Sequence, residues 1–158
     1  MTIWVIVLLL TACGSTKVNT AQSRFYQSFV TRFNVYHNGN EAYKEGLSAQ
    51  EKSHKDNYME IIPLFPVSKE NTRSSGSGSF DKAIEKSQKA IKLHSIKQKP
   101  KKKAGRKLSE KDKLWYAKKE YNPYLHNAWM LMGKAQFQKG EFLEAASTFS
   151  YITRLYSE

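Results

Sequence analysis

The chain has 158 residues, 40% of them hydrophobic and 13% aromatic, with a formal net charge of +12 and a single cysteine. That length suits one ordinary domain with a modest core, and a lone cysteine excludes an internal disulfide framework, so the fold must hold by packing alone. Nine basic residues against two acidic ones lie between Lys97 and Lys113, so most of the charge excess sits in one stretch.

At the N-terminus an uncharged apolar run, Ile3 to Leu10, leads into Thr11-Ala12-Cys13. Eight helical residues span roughly 12 Å of a ~30 Å hydrocarbon core, too short for a mature membrane anchor. The run fits a signal-peptide h-region followed by small residues and a lipid-accepting cysteine. Residues 1–12 are therefore expected to be a lipoprotein signal peptide, Cys13 the lipidated residue, and 13–20 a small, polar tether. Residues 1–12 hold no Lys or Arg. Signal n-regions normally carry positive charge, which points to a start upstream of Met1.

Next, Phe25, Phe29, Phe33 and Tyr36 recur at spacings of four, four and three, placing them on one face of a helix that runs through Ala42-Tyr43 and ends near Gly46. Residues 48–79 read as an insert. Ile61 to Val67 is apolar but carries Pro63 and Pro66, which excludes a regular helix or a central strand and predicts an extended segment pressed onto helices. Asn71 to Ser79, rich in Ser and Gly, reads as a loop. Phe80, Ala83, Ile84, Ala90 and Ile91 then predict a helix over 80–96. Residues 97–113 form a basic linker. Ser109-Glu110-Lys111-Asp112 resembles a capping box opening a short helix through Tyr116. Asn122-Pro123 predicts the next helix, with Asn as N-cap and Pro at its first position; it carries Leu125, Ala128, Trp129, Met132 and Ala135 and ends at Gly140. A final helix carries Phe142, Ala145, Ala146, Phe149, Ile152 and Tyr156 on one side. No segment predicts a strand, and the fold class is all-α.

The chain also repeats itself. Gly39 to Gly46 and Gly133 to Gly140 share glycine, an aromatic four later and glycine three after that. Gly78-Ser79-Phe80-Asp81-Lys82-Ala83 matches Gly140-Glu141-Phe142-Leu143-Glu144-Ala145. Two helix hairpins follow: a compact one within 114–158, and one over 21–96 split by the insert. The compact copy resembles a tetratricopeptide repeat, with Trp129, Met132, Gly133, Ala145 and Phe149 at its usual spacing. Ser157 stands where that repeat often has proline. Helix axes 8–10 Å apart need small residues where they touch. Gly133 and Ala145 are expected to supply that contact, Gly140 a left-handed helix end, and Trp129 and Phe149 the filling between helices. At least three repeats are normally needed for a stable stack. The chain is thus expected to be the N-terminal part of a longer α-solenoid.

Asn34 to Gly46, Lys55 to Tyr58, Ile62 to Val67, Ala90 to Ile96 and Asn127 to Phe137 together resemble the PorW/SprE lipoproteins of Bacteroidetes, over nearly the whole mature chain. That resemblance implies a tetratricopeptide-repeat lipoprotein of the type IX secretion system, which carries out protein transport across the outer membrane and supports gliding motility. It implies a palmitate-bearing, outer-membrane scaffold facing the periplasm, whose partners are secretion components.

No catalytic constellation accompanies this pattern. His37, His54, His94 and His126 are scattered without metal-ligand spacing, and each is expected in the core or on the surface. No phosphate-binding glycine motif occurs. The expectation is a non-enzyme with no metal, no cofactor beyond lipid on Cys13, no nucleic-acid partner and no small-molecule substrate. The basic run reads as a solvated linker, or as a contact for anionic lipid. Repeat proteins bind partners on the concave face of their first helices. Repeat alignment puts Asn127, Met130, Lys134 and Phe137 there, with Tyr36, Asn40 and Tyr43 from the split copy. The alternatives are a repeat lipoprotein for nutrient or cell-wall polymer, and the non-catalytic N-terminus of an envelope enzyme.

Overall fold

A computed structural model describes residues 18–59, 61–101, 105 and 107–156. The expected signal, Cys13, residues 13–17 of the tether, Lys102, Lys103, Arg106 and Ser157 lie outside the described residues. Among the described residues the secondary structure is all-α, with no strand.

The first rod comprises α1 (Ala21–Val30), a π-helical turn (Thr31–Tyr36) and α2 (His37–Ser53). Thr20 opens it by accepting a hydrogen bond from the Ser23 amide at 3.1 Å. At the turn, the Thr31 hydroxyl donates back to the Gln27 carbonyl at 2.6 Å, and the His37 amide reaches the carbonyl of Arg32. Such side-chain back-bonding competes with the regular ladder, and an extra residue per turn unwinds the register. Tyr36 thereby leaves the row of Phe25, Phe29 and Phe33 that sequence spacing assigned to one face. The expected helix end at Gly46 is corrected: α2 continues to Ser53, because Gly46 serves as a close-approach point and stays helical.

The insert is shorter than expected, running from His54 to Gly76 and holding a 3-10 turn (Pro66–Ser68) and α3 (Glu70–Ser74). Its apolar segment is not pressed onto helices. Val67 is buried, but Ile61 is 97% and Leu64 86% exposed. Gly76, at φ +81°, turns the chain into α4 (Ser77–His94).

The expected capping box is present at the start of α5 (Glu110–Ala117): Asp112 N–H bonds the Ser109 hydroxyl, and the Asp112 carboxylate accepts from the Ser109 amide. The next helix, α6 (Leu125–Lys139), starts later than Asn122-Pro123 predicted. Asn122 still organises the entry, because its Oδ1 accepts from the Tyr124 amide at 3.0 Å. Gly140, at φ +91°, ends α6 in the expected left-handed conformation, and α7 (Phe142–Leu155) follows.

Packing follows from where small residues stand. α2 and α6 both lie against α4, and α7 lies against α6. Gly46 meets Phe80 while Gly39 meets Ala83 and Lys86, so α2 and α4 are antiparallel. Gly39 also meets Leu131, and Tyr36 meets Tyr124, so α2 and α6 run parallel on either side of α4. Two apolar clusters fill the gaps. Val35, Ala90, Leu125 and Ala128 form one, backed by Ile91 and Trp129. Ala42, Phe80, Ala83 and Ala135 form the other, backed by Tyr43, Leu47 and Ile84.

Candidate protein-interaction surface

The helices are held in register by a buried polar node that sequence reasoning missed. Glu120, only 6% exposed, accepts the amides of Ile96, Tyr121 and Asn122 at 2.8, 3.0 and 2.9 Å, and the Ser95 hydroxyl. Asn122 donates from Nδ2 to the Thr31 hydroxyl at 3.0 Å and to the His94 carbonyl at 2.8 Å. His94 Nδ1 in turn lies 2.6 Å from Gln27 Oε1. One loop thus ties together α1, the end of α4 and the start of α6. A buried carboxylate is tolerable only when its lone pairs are met by donors, as here. Lys139 closes the other end, bonding Asp81 at 2.7 Å and Glu141 at 2.6 Å.

On this frame α6 presents Met130, Lys134 and Phe137 to solvent, at spacings of four and three along one side. Phe137 stands edge-on to Phe142 at 5.4 Å, which extends the apolar surface onto α7. Asn127 is half-buried beside them. The expected contributions of α2 are more enclosed. Tyr36 is half-buried edge-on to Tyr124 at 5.3 Å, and burial with that neighbour raises its phenol pKa. Tyr43 packs on Phe80 at 5.8 Å; burial raises its pKa, opposed by a hydrogen bond with Gln138. Asn40 is half-buried between them in sequence. The open part of the surface is therefore the α6 row, and the two tyrosines are largely spent on packing.

The residues assigned to repeat packing divide in the same way. A methyl group on Gly133 would lie 2.6 Å from the Phe149 ring, and Ala83 and Ala145 are fully buried. Trp129 packs on the first cluster and lies 4.7 Å from Tyr151. Gly39 makes the equivalent approach in the first hairpin, where a methyl group would lie 3.2 Å from Leu131 and Lys86. Gly78 does not match Gly140: it lies inside α4 in open space, and the left-handed glycine there is Gly76.

Other surfaces stand apart. Asn19, expected in the tether, is buried and donates to the Gln98 carbonyl at 2.7 Å, while its Oδ1 accepts from Arg24. Near it a pocket of about 360 Å³ is lined by Arg24, Phe25, Trp115, Lys118, Tyr121 and Tyr156, among others. The Tyr156 hydroxyl is buried there with no hydrogen-bond partner among the described residues, and burial pushes its pKa well up. Among the described residues no cluster of three or more His, Cys, Asp or Glu could hold a metal ion, and no helix is long and apolar enough to cross a membrane. No known family model matches the chain, and no curated protein matches it.

Proposed function

We propose that the chain is a non-enzymatic helical-repeat scaffold, anchored by lipid on Cys13 and serving type IX protein secretion at the periplasmic face of the outer membrane. The observation that carries the repeat reading is the order α2, α4, α6, α7, in which α2 and α6 run parallel with α4 antiparallel between them. Equivalent glycines, Gly39 and Gly133, stand at the close approaches. Such pairs stack into solenoids that bind partners along their first helices. The secretion assignment comes from the resemblance to the PorW/SprE lipoproteins. Affinity purification of the full-length lipidated protein tests it: secretion components should co-purify, and their absence would defeat the reading. Palmitate labelling that disappears with Cys13→Ala tests the anchor.

A second reading, a lipoprotein for nutrient or cell-wall polymer, draws on the pocket at Trp115, Tyr121 and Tyr156, whose aromatic walls and unpartnered hydroxyl suit a polar ring compound. Titration of muropeptides and simple sugars, read by Trp115 fluorescence, separates the two.

A further inference from the structure

We infer that the row of Phe25 and Phe29 on α1 and Phe33 on the π-helical turn after it is a membrane contact that lies in the headgroup region of an anionic bilayer. The three rings are 73, 52 and 55% exposed, and Tyr26 beside them is 54% exposed. They are not scattered: Phe25 and Phe29 stack with centroids 6.3 Å apart, and Phe29 and Phe33 are 4.8 Å apart. Contiguous apolar faces of this kind mark interaction sites.

Three observations select a lipid surface over a protein helix. Charge comes first. From Ala21 to Tyr36 the chain has no acidic residue, while Arg24 and Arg32 flank the row. The Arg32 guanidinium lies 5.0 Å over the Phe33 ring and 5.6 Å over the Tyr124 ring, which keeps a positive charge at that end of the row. Lys118 stands beside Trp115 at the N-terminal end. A basic rim around aromatic rings is the composition of interfacial helices. The second is shape. Inside the molecule, helix contacts place glycine or alanine where axes approach, as at Gly46, Ala83 and Gly133. Between Phe25 and Phe33 the exposed row offers rings alone, which suits a deformable partner better than a close-packed helix. The third is reach, and here the inference rests on the lipid-anchor reading. Asn19 is already fixed in the fold. The six residue steps from Cys13 to Asn19 span at most about 20 Å. The row itself, eight residue steps from Phe25 to Phe33, is about 12 Å long. A lipid on Cys13 would hold the whole row within reach of the bilayer, so the anchor brings the helix to the surface and the row adds a contact that fixes its orientation there.

The test uses the chain from residue 13 onward with Cys13→Ser, which keeps every described residue and removes the lipid. Flotation is measured with vesicles of phosphatidylcholine alone and with 30 mol% phosphatidylglycerol, an assay composition of about one anionic lipid in three. Binding is expected to the anionic vesicles. Phe29→Ser with Phe33→Ser should weaken it about tenfold or more, and Arg32→Gln about fivefold, the latter on anionic vesicles only. Helical circular dichroism should be unchanged in each. Absence of binding by the unlipidated chain overturns the inference, as does equal binding by the double-serine variant. Unchanged vesicle binding with loss of a co-purifying protein would assign the row to a protein interface instead. Failure of palmitate labelling would remove the anchor reading but leave the vesicle result standing, so the two failures are distinguishable.

Discussion

The ring of Phe80 lies on the bare backbone of Gly46, so close that a methyl group added there would sit 2.6 Å from Cε1. Phe80 is fully buried, so the ring has no solvent to swing into. This contact sets how near α2 and α4 approach. Gly46→Ala gains helix propensity yet forces the ring to move, and overpacking of this sort costs about 2 kcal/mol. Gly78, also helical, faces open space. Gly78→Ala should therefore stabilise by roughly 0.5 kcal/mol. Urea unfolding of the two variants should shift in opposite directions.

Glu120 gathers four donors with almost no solvent. Glu120→Ala removes the side-chain acceptor of the Ile96 and Asn122 amides, while the Tyr121 amide keeps the Ile96 carbonyl at 3.0 Å, and should cost about 3 kcal/mol. Glu120→Gln should cost only about 1 kcal/mol, since its carbonyl can replace Oε1 and its amide can donate to Ser95. Chemical denaturation midpoints of both, compared with the parent, check the ratio.

His94 is held below the usual imidazole value, first by burial and then by the nearby Lys89 charge. The folded state therefore binds its proton less readily than the unfolded chain. Stability from this group is fully present above the unfolded value of about 6.5 and is lost as pH falls below it through the folded pKa. The urea midpoint should drop between pH 7.5 and 5.5. It should drop less in His94→Gln, measured over the same window; an equal drop would assign the dependence to other groups.

Met130, Lys134 and Phe137 lie along one side of α6; Lys134→Ala should leave stability within about 0.5 kcal/mol, while Met130→Ala and Phe137→Ala, at positions 38% exposed, should each cost about 1 kcal/mol. If this side receives a partner, Met130→Ala with Phe137→Ala should weaken capture at least tenfold, because exposed apolar anchors carry most interface energy. A photocrosslinker at Met130 should label the same partner. Equal labelling from a site on the outer side of α4, such as Lys89, would count against a specific surface.

Much of the fold was legible because helix signals are local. Ser109 and Asp112 are three apart, so their capping box needs only its own residues. Gly140 announced its left-handed turn by standing between two apolar periods. The glycine rule misled at Gly46 and Gly78, because a helix end and a close-approach point call for the same residue. What separates them is whether a neighbour lies above the backbone, and that neighbour is at Phe80, over thirty positions away. The apolar insert misled for a related reason: hydropathy at Ile61, Leu64 and Phe65 cannot say whether a surface stands opposite. The aromatic periodicity held for Phe25, Phe29 and Phe33 but not for Tyr36, which the π-helical turn carries into packing on Tyr124, and periodicity gives a face and not its direction.

By itself the sequence determined the all-α class, the Ser109 and Gly140 helix caps and the concentration of charge in residues 97–113, since each follows from backbone preference or composition over a few neighbouring residues. Only the tertiary structure decided that Glu120 and Asn122 join α1, α4 and α6, that Tyr36 and Tyr43 are used in packing, and that Phe25, Phe29 and Phe33 face outward. Those outcomes depend on which surfaces meet between residues 24 to 91 positions apart, where burial and hydrogen-bond satisfaction are settled by the whole assembly of helices rather than by any one of them.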